Sequence, residues 1–141
     1  MSVTGAKRLN RSRIVVVTGA AGGLGWALVQ SLVRTHTDGT PLRFALVDVD
    51  GEALAARGRE LEQQDIDADV FVADLSSENA VADLCERLRA LYPHVDLLIN
   101  NAGITHRSLS TQTSNAVIRR VMAVDYHAPV ELAQGLLAPL R

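Results

Sequence analysis

Residues 14–33 read IVVVTGAAGGLGWALVQSLV, in which an apolar run leads through a turn with four glycines into a second apolar stretch. The β-branched run predicts a buried strand, and residues 26–33 predict a helix. Glycines at a strand-to-helix turn let the backbone approach a ligand, and they leave unpaired N–H groups of the first helical turn directed at it. A phosphate or pyrophosphate suits such a place. Because Asp48 then ends the next predicted strand, the pattern indicates a dinucleotide site.

The rest of the chain continues to alternate strands and helices. We predict strands at 13–17, 42–47, 70–73 and 95–99, and helices at 23–35, 51–64, 78–91 and 114–137, the last bent at Pro129. Apolar strands that alternate with helices indicate an α/β fold whose parallel sheet is covered on both faces. Right-handed crossovers in a doubly wound sheet then predict the strand order 3-2-1-4, with the ligand at the carboxyl ends of the strands.

The composition is that of an ordinary globular domain. The chain has 141 residues, 48% apolar and 21% charged, with a net charge of −2, which argues against disorder and against a nucleic-acid partner. No segment has the length of a membrane span and the first residues lack a signal-peptide core, so we expect a cytoplasmic protein without a membrane partner. Cys85 is the only cysteine and the histidines lack ligand spacing, so we expect a buried structural thiol and no metal site. We expect residues 1–12 to form a flexible tail and residues 13–141 to form the domain.

Asp48 is the residue on which the choice of cofactor depends. A carboxylate at the end of the second strand can accept hydrogen bonds from both hydroxyls of the adenosine ribose. A 2′-phosphate there would meet like charge, and the glycine-rich turn carries no Arg or Lys to neutralise it. We therefore predict NAD in preference to NADP. The alternative is that Asp48 only caps the next helix, a position for which Asp50 competes.

Three motifs along the chain resemble those of the short-chain dehydrogenase/reductase (SDR) family. Its Thr-Gly-x-x-x-Gly-x-Gly pattern falls on Thr18, Gly19, Gly23 and Gly25, and Gly22 also fits the spacing of the extended branch of the family. The pair after the third strand matches Asp74-Leu75, and Asn-Asn-Ala-Gly after the fourth strand matches residues 100–103, which favours the classical branch. The motifs occur in order on the expected elements, and they cover nearly the whole chain from Arg13 onward.

The resemblance implies an NAD(P)-binding Rossmann domain and hydride transfer between a nicotinamide and an alcohol or carbonyl. It implies that the dinucleotide is bound by Thr18, Gly19, Gly22, Gly23, Leu24, Gly25, Asp48, Asp74, Leu75, Asn100, Asn101, Ala102 and Gly103. Each motif also has a simpler structural explanation. Asp74 could cap the next helix, Asn100 and Asn101 could satisfy backbone groups at the end of the sheet, and Gly103 could serve only the loop conformation.

The catalytic residues of the family are missing from these 141 residues. The family uses a Tyr with a Lys four residues later, because an unassisted phenol is a poor base at neutral pH. The only lysine here is Lys7, and Val130 follows Tyr126 at the spacing where the Lys would stand. Asp125 occupies the place of the family's helix Asn, so its role there is open; it could equally be a carboxylate on a helix face. We therefore expect a domain truncated after its fourth β-α unit, which binds the dinucleotide but takes a small-molecule substrate only when completed by the missing half.

Two other functions stay open at this point. The chain could be a stand-alone nucleotide-binding module or pseudoenzyme that acts through a partner chain, because the fourth strand would form an apolar sheet edge. We expect self-association or pairing through that strand and through the last helix, whose apolar face includes Val117, Val121 and Leu132. A different Rossmann ligand, S-adenosylmethionine, also suits a glycine-rich turn with a strand-two carboxylate, but Thr18 and the Asn-Asn-Ala-Gly motif argue against it.

Overall fold

The computed structural model describes residues 11–140, which form a parallel four-stranded sheet with helices on both faces. The strands are β1 (Arg13–Thr18), β2 (Leu42–Asp48), β3 (Asp67–Val72) and β4 (Leu97–Ile99). The helices are α1 (Gly23–Thr35), α2 (Gly51–Glu62), α3 (Glu78–Leu91), α4 (Asn115–Met122) and α5 (Ala128–Gly135), with a 3-10 turn at Ser110–Gln112. The sheet order is β3-β2-β1-β4, which confirms the predicted topology.

Alternate side chains of the central strands are buried on opposite faces of the sheet. Ile14 and Val16 of β1 join a core with α3 and α5, whereas Val15 and Val17 join a core with α1 and α2. All four side chains are at most 1% exposed. The predicted structural thiol, Cys85, lies in the first core and is 4% exposed, so its expected burial is confirmed. These two cores hold the carboxyl ends of the strands side by side at one edge of the sheet.

The strand β3 begins three residues earlier than the pattern predicts. Its first residues, Asp67 and Asp69, are polar, and polar residues weaken a strand prediction that is based on apolar runs. Pairing with β2 places Arg43 beside both carboxylates, and its guanidinium binds Asp69 at 2.9 and 3.0 Å. Ion pairing between neighbouring strands therefore extends β3 where hydrophobic pattern alone does not.

The strand β4 is shorter than predicted, and it lies at the edge of the sheet as expected. Val95, which we assigned to the strand, forms an isolated parallel bridge with Leu140, and its N–H donates to the carbonyl of Pro139 at 2.7 Å. The last described residues thus pair with the segment before β4, while Leu97 is 40% exposed at the edge.

The last predicted helix is interrupted by a π-helical turn at Ala123–His127, just before Pro129. Pro129 has no N–H to donate to the carbonyl of Asp125, four residues earlier. Just before it, the N–H of Ala128 bonds to the carbonyl of Ala123, five residues earlier, which is the spacing of a π-helix. The expectation that Leu132 belongs to an unpartnered apolar face is wrong. Leu132 is fully buried in the core against α3, because α5 packs on α3.

The start of the predicted tail, residues 1–10, lies outside the described residues. Ser12, which we included in the tail, is 3% exposed, and its carbonyl accepts a hydrogen bond from the ring of the buried His94 at 3.1 Å. The packed part of the chain therefore begins before Arg13. No helix among residues 11–140 is both long enough and apolar enough to span a membrane.

Candidate functional site

The carboxyl ends of all four strands surround one open cavity of about 720 Å³. Its walls come from the glycine-rich turn after β1, the ends of β2 and β3, the loop after β4, and two residues further along the chain, Arg120 of α4 and Val124 of the π-helical turn. The continuous segment of α4, the π-helical turn and α5 is called the last helix below. Cavities of this size hold cofactors and small ligands in other proteins. A position at the carboxyl ends of the strands is the one expected for the ligand of a doubly wound sheet.

The glycine-rich turn leads from β1 into α1 with backbone conformations that favour glycine. Gly19 and Gly23 have φ angles of +65° and +55°. At Gly25 a Cβ would lie 2.0 Å from the carbonyl oxygen of Gly19, so only glycine fits this contact between turn and helix. At Gly22 and Gly23 a Cβ would meet no atom within 4 Å, because both residues border the open cavity.

The amino end of α1 lacks a side-chain cap, in contrast with the starts of α2, α3 and α4. Asp50, Ser77 and Ser114 cap those three helices, whereas the N-cap of α1 is Gly22, which has no side chain to offer. The first N–H groups of α1 therefore border the cavity without a side-chain acceptor. The positive end of a helix placed in this way favours an anion such as a pyrophosphate.

A cation reaches the glycine-rich turn from another element. Arg57 of α2 donates from Nε to the carbonyl of Ala21 at 2.9 Å, and its guanidinium lies 4.8 Å from the ring centre of Trp26. Another nitrogen of the same guanidinium, Nη1, binds the carboxylate of Glu60 at 2.7 Å. The sequence places no Arg or Lys within the turn, and only the packing of α2 brings this one to it. Arg57 does not line the cavity, so it supports the turn from behind.

Thr18 and Asn101 join the glycine-rich turn to the loop after β4. The Thr18 hydroxyl oxygen accepts hydrogen bonds from the N–H groups of Asn101 and Ala102 at 3.1 and 3.0 Å. The Asn101 amide in turn donates to the carbonyls of Thr18 and Gly19 at 3.2 and 3.3 Å. Thr18 is 1% exposed, so it acts inside the protein and holds the two cavity walls together.

Asp48 ends β2 at the rim of the cavity, where both of its carboxylate oxygens accept backbone hydrogen bonds. One accepts from Ala21 at 3.0 Å and the other from Asp50 at 3.1 Å. Asp50, not Asp48, caps α2 through the N–H of Ala53 at 3.0 Å. The capping explanation for Asp48 is therefore wrong, and its carboxylate instead ties the glycine-rich turn to the end of β2.

Asp74 follows β3 on the cavity wall and is held in its ionised form. One of its oxygens accepts from the hydroxyl and the N–H of Ser76 at 2.7 and 3.0 Å, and these bonds lower the pKa of the carboxyl below its ordinary value. The positive charge of Arg120 adds to this effect. Ser77 caps α3, so the suggestion that Asp74 does so is also wrong.

Asp125 lies on the π-helical turn, at the wall of a second cavity of about 400 Å³. Its Oδ1 accepts a hydrogen bond from the N–H of Ile104 at 2.9 Å, directly after the Asn-Asn-Ala-Gly motif. The side chain therefore fastens the last helix to the loop after β4. Val117, Val121 and Met122 supply apolar surface to the same cavity.

Ten of the thirteen predicted cofactor residues line the first cavity. They are Gly19, Gly22, Gly23, Leu24, Asp48, Asp74, Leu75, Asn101, Ala102 and Gly103. The other three, Thr18, Gly25 and Asn100, do not line it: the first two pack behind the turn, and the Asn100 amide faces the carbonyl of Pro129 at 3.5 Å. The role of the ten in binding stays a prediction.

Sequence reasoning missed nine residues that line the first cavity. They are Ala21, Val49, Asp50, Ala53, Ala73, Ile104, Thr105, Arg120 and Val124. Six of them lie within two residues of a predicted motif position and would have been found by widening each motif by that much, whereas Ala53 lies five residues after Asp48. Arg120 and Val124 carry no such signal, because only the path of the last helix over the cavity brings them there.

Comparisons with known proteins agree with this geometry. The family model described as short chain dehydrogenase matches residues 13–141. Dehydrogenase/reductase SDR family member 7B of Bos taurus is 35% identical over 133 residues, which cover 90% of this chain and 39% of that protein. A metagenomic short-chain oxidoreductase in complex with NADP has a TM-score of 0.79 at 28% identity, with 89% of this chain and 55% of that chain covered.

A second solved structure, the bulky-bulky ketone specific alcohol dehydrogenase from Comamonas testosteroni, has a TM-score of 0.77 at 26% identity. The similarity covers 91% of this chain and 49% of that chain. The present chain spans about two fifths of the length of the curated relatives that it matches.

Proposed function

The chain belongs to the short-chain dehydrogenase/reductase family, and on that basis we propose that its cavity binds a nicotinamide dinucleotide, with NAD preferred over NADP. The observation that carries the proposal is the convergence of ten predicted cofactor residues on one cavity beside the uncapped end of α1. The open space at Gly22 and Gly23 leaves room for a phosphate against the backbone there.

Each wall of the cavity has a part in this proposal. The glycine-rich turn and the first N–H groups of α1 hold the pyrophosphate. Asp48 accepts hydrogen bonds from the adenosine ribose, and Asp74 with Leu75 contacts the adenine. The loop of Asn101, Ala102 and Gly103 forms the opposite wall.

The preference for NAD rests on the charge at the end of β2. A 2′-phosphate on the adenosine ribose would lie near Asp48 and Asp50, which both line the cavity. The cation that lines the cavity within residues 11–140 is Arg120, whose charge acts on Asp74. The similar metagenomic oxidoreductase was solved with NADP, so the preference needs a direct test.

The nicotinamide of the bound dinucleotide would supply or accept a hydride, and the family relationship points to an alcohol or carbonyl as its partner. Within these 141 residues we propose binding without turnover, because no Tyr-x-x-x-Lys occurs in them. Neither tyrosine can replace it. Tyr92 is buried and donates its hydroxyl hydrogen to Asp69, and Tyr126 lines neither cavity.

Calorimetric titration of the chain with NADH and then with NADPH tests the proposal. We expect saturable binding of both, with NADH bound about tenfold more tightly, which corresponds to about 1.4 kcal/mol. Asp48→Asn should remove most of this difference, while Glu52→Gln, on the exposed side of α2, should leave it unchanged. A folded chain that binds neither dinucleotide would contradict the proposed function, and equal affinities would contradict only the preference for NAD.

We also propose that the chain associates with a second copy through an exposed apolar stripe that runs from α4 to just past the end of α5. The exposed stripe consists of Ile118, Met122, Tyr126, Val130 and Leu137, whose exposed fractions lie between 40% and 68%. An apolar surface of this kind is typical of protein–protein contacts. A stand-alone module that acts through a partner would use the same surface. The cytoplasmic location expected from the sequence stays a prediction.

A further inference from the structure

The two cavities of the site adjoin each other, and Asp125 carries the charge of the second one. Both cavities share Ile104 and Thr105 as lining residues. The second is lined mainly by apolar side chains of the last helix, together with His106, Thr113 and Asp125. A ligand that fills the first cavity and continues past the loop after β4 therefore passes toward Asp125.

The strand order gives a direction to a dinucleotide bound as proposed above. Asp48 and Asp74 follow β2 and β3, the glycine-rich turn follows β1, and residues 101–105 follow β4. If the adenosine half lies beside the first two and the pyrophosphate beside the turn, the nicotinamide half extends toward the β4 side. On that side the loop of Gly103 and Ile104 contacts Asp125.

The carboxylate of Asp125 is only partly occupied by protein contacts. Its Oδ1 accepts from the N–H of Ile104, and within residues 11–140 it forms no ion pair. Two other charged or titratable residues line these cavities close to it in the fold: His106 lines the second cavity, and Arg120, five positions earlier in the chain, lines the first. The side chain is exposed, so its charge reaches the cavity without a cation bound to it.

We propose that Asp125 makes this site favour the oxidised dinucleotide, because its negative charge lies on the side toward which the nicotinamide ring extends. The ring is positively charged in NAD⁺ and neutral in NADH, so a nearby carboxylate attracts only the oxidised form. An Asn at this position would supply the same acceptor to Ile104 without the charge. The inference rests on the proposed dinucleotide binding, and it assigns Asp125 a role in selecting the redox state of the ligand.

The matched variants Asp125→Asn and Asp50→Asn test this inference. Asp125→Asn keeps an oxygen that can accept from Ile104, and Asp50→Asn keeps an equally good helix cap while it removes a charge beside the adenosine half. The affinities for NAD⁺ and NADH are measured by calorimetry for the wild type and both variants. We expect Asp125→Asn to lower the ratio of NAD⁺ to NADH affinity about fivefold, and Asp50→Asn to change both affinities by the same factor.

Salt supplies a second readout of the same charge. Raising the ionic strength should weaken the wild-type preference for NAD⁺ and leave the ratio in Asp125→Asn almost unaltered, because salt screens exposed charges. A ratio that is equal in the wild type and in Asp125→Asn would overturn the inference while the proposed function stands. A wild-type chain that binds neither redox form would contradict the proposed function itself.

Discussion

At the scale of single residues, the motif positions differ in whether they build the cavity or face it. Thr18 and Gly25 belong to the family pattern, yet both lie behind the glycine-rich turn and not on the cavity wall. Gly22 and Gly23 belong to the same pattern and border the open space. The same motif therefore contains residues whose replacement affects folding and residues whose replacement affects binding.

Thr18 allows the structural role to be tested alone. Thr18→Val keeps the shape of the side chain but leaves the N–H of Ala102 without its acceptor, whereas the N–H of Asn101 keeps its bond to the carbonyl of Ile99 at 3.1 Å. We expect the free energy of unfolding to fall by about 1–3 kcal/mol, which is the cost of one N–H group left without a partner. Urea unfolding measures the change. Thr18→Ser keeps the hydroxyl and should lose much less, so equal losses in the two variants would contradict this role.

Gly22 and Gly25 form a matched pair for separating binding from folding. Gly25→Ala places a Cβ 2.0 Å from the carbonyl oxygen of Gly19, and we expect it to lower the free energy of unfolding by about 3 kcal/mol or more. Gly22→Ala adds a Cβ in open space at φ −166°, so its stability should stay within about 0.5 kcal/mol of the wild type.

Dinucleotide titration completes the comparison of the two glycines. The Gly22→Ala methyl group borders the cavity, so this variant should bind NADH more weakly while it remains as stable as the wild type. Wild-type affinity in Gly22→Ala would show that the phosphate does not approach this part of the turn. Gly19 differs from both of these glycines, because a side chain there would meet the loop after β4. A Cβ there lies 2.9 Å from the Ala102 Cα, so packing against the loop after β4 suffers before any ligand is blocked.

At the scale of elements, Tyr92 joins the end of α3 to the edge strand β3. It follows α3 directly, is 2% exposed, and donates its hydroxyl hydrogen to Asp69, which Arg43 of β2 also binds. Burial raises the pKa of the Tyr92 phenol above its ordinary value, and the bond to Asp69 adds to the shift. The contact therefore connects three elements at the end of the sheet opposite to the cavity.

This contact predicts how stability depends on alkaline pH. Because the folded-state pKa of Tyr92 is raised, its stabilising contribution is complete below the unfolded pKa of about 10 and is lost as the pH rises toward the folded value. We expect the wild-type free energy of unfolding to decline above about pH 10, and Tyr92→Phe to decline less steeply. At neutral pH Tyr92→Phe should be about 1 kcal/mol less stable, because Asp69 loses a donor.

The second tyrosine supplies the control for the pH experiment. Tyr126 is 57% exposed on the π-helical turn, so Tyr126→Phe should keep the pH dependence of the wild type. Unfolding is followed by urea titration at a series of pH values. Parallel curves for the wild type and Tyr92→Phe above about pH 10 would exclude Tyr92 as the source of the decline.

At the scale of the whole molecule, the exposed stripe belongs to the part of the chain that follows the edge strand β4. The apolar face predicted from Val117, Val121 and Leu132 differs from the one observed. Leu132 is in the core, and the other two line the second cavity. The exposed stripe overlaps that cavity, because Ile118 and Met122 line it as well and are 47% and 42% exposed.

Light scattering tests the proposed self-association. We expect the wild type to form dimers with increasing concentration, and Met122→Glu to remain a monomer because a charge in an apolar contact is costly. Leu109→Glu is the control: Leu109 is 66% exposed but lies in the loop before the last helix and outside the exposed stripe. A wild type that stays monomeric at all concentrations, or a dimer that Met122→Glu leaves intact, would contradict the proposal.

Sequence alone determined the sheet and the general place of the site. The alternation of strands and helices predicted the strand order, and the glycine-rich turn, Asp48 and the family motifs at residues 74–75 and 101–103 predicted ten residues that line one cavity. These features are local: strand periodicity, turn conformation and helix starts depend on residues close together in the chain. The helix at Glu78–Leu91 was predicted to the residue for the same reason, since Ser77 caps it and Pro93 follows it.

Only the tertiary structure decided which of these residues face the cavity, where β3 begins and which side of the last helix is covered. Thr18 meets Asn101, and Arg120 reaches the cavity with Asp74, across long stretches of chain. Asp125, which lies on the π-helical turn before Pro129, meets Ile104 in the same way. Such contacts depend on how whole elements pack against one another, and no spacing within a single element records that packing.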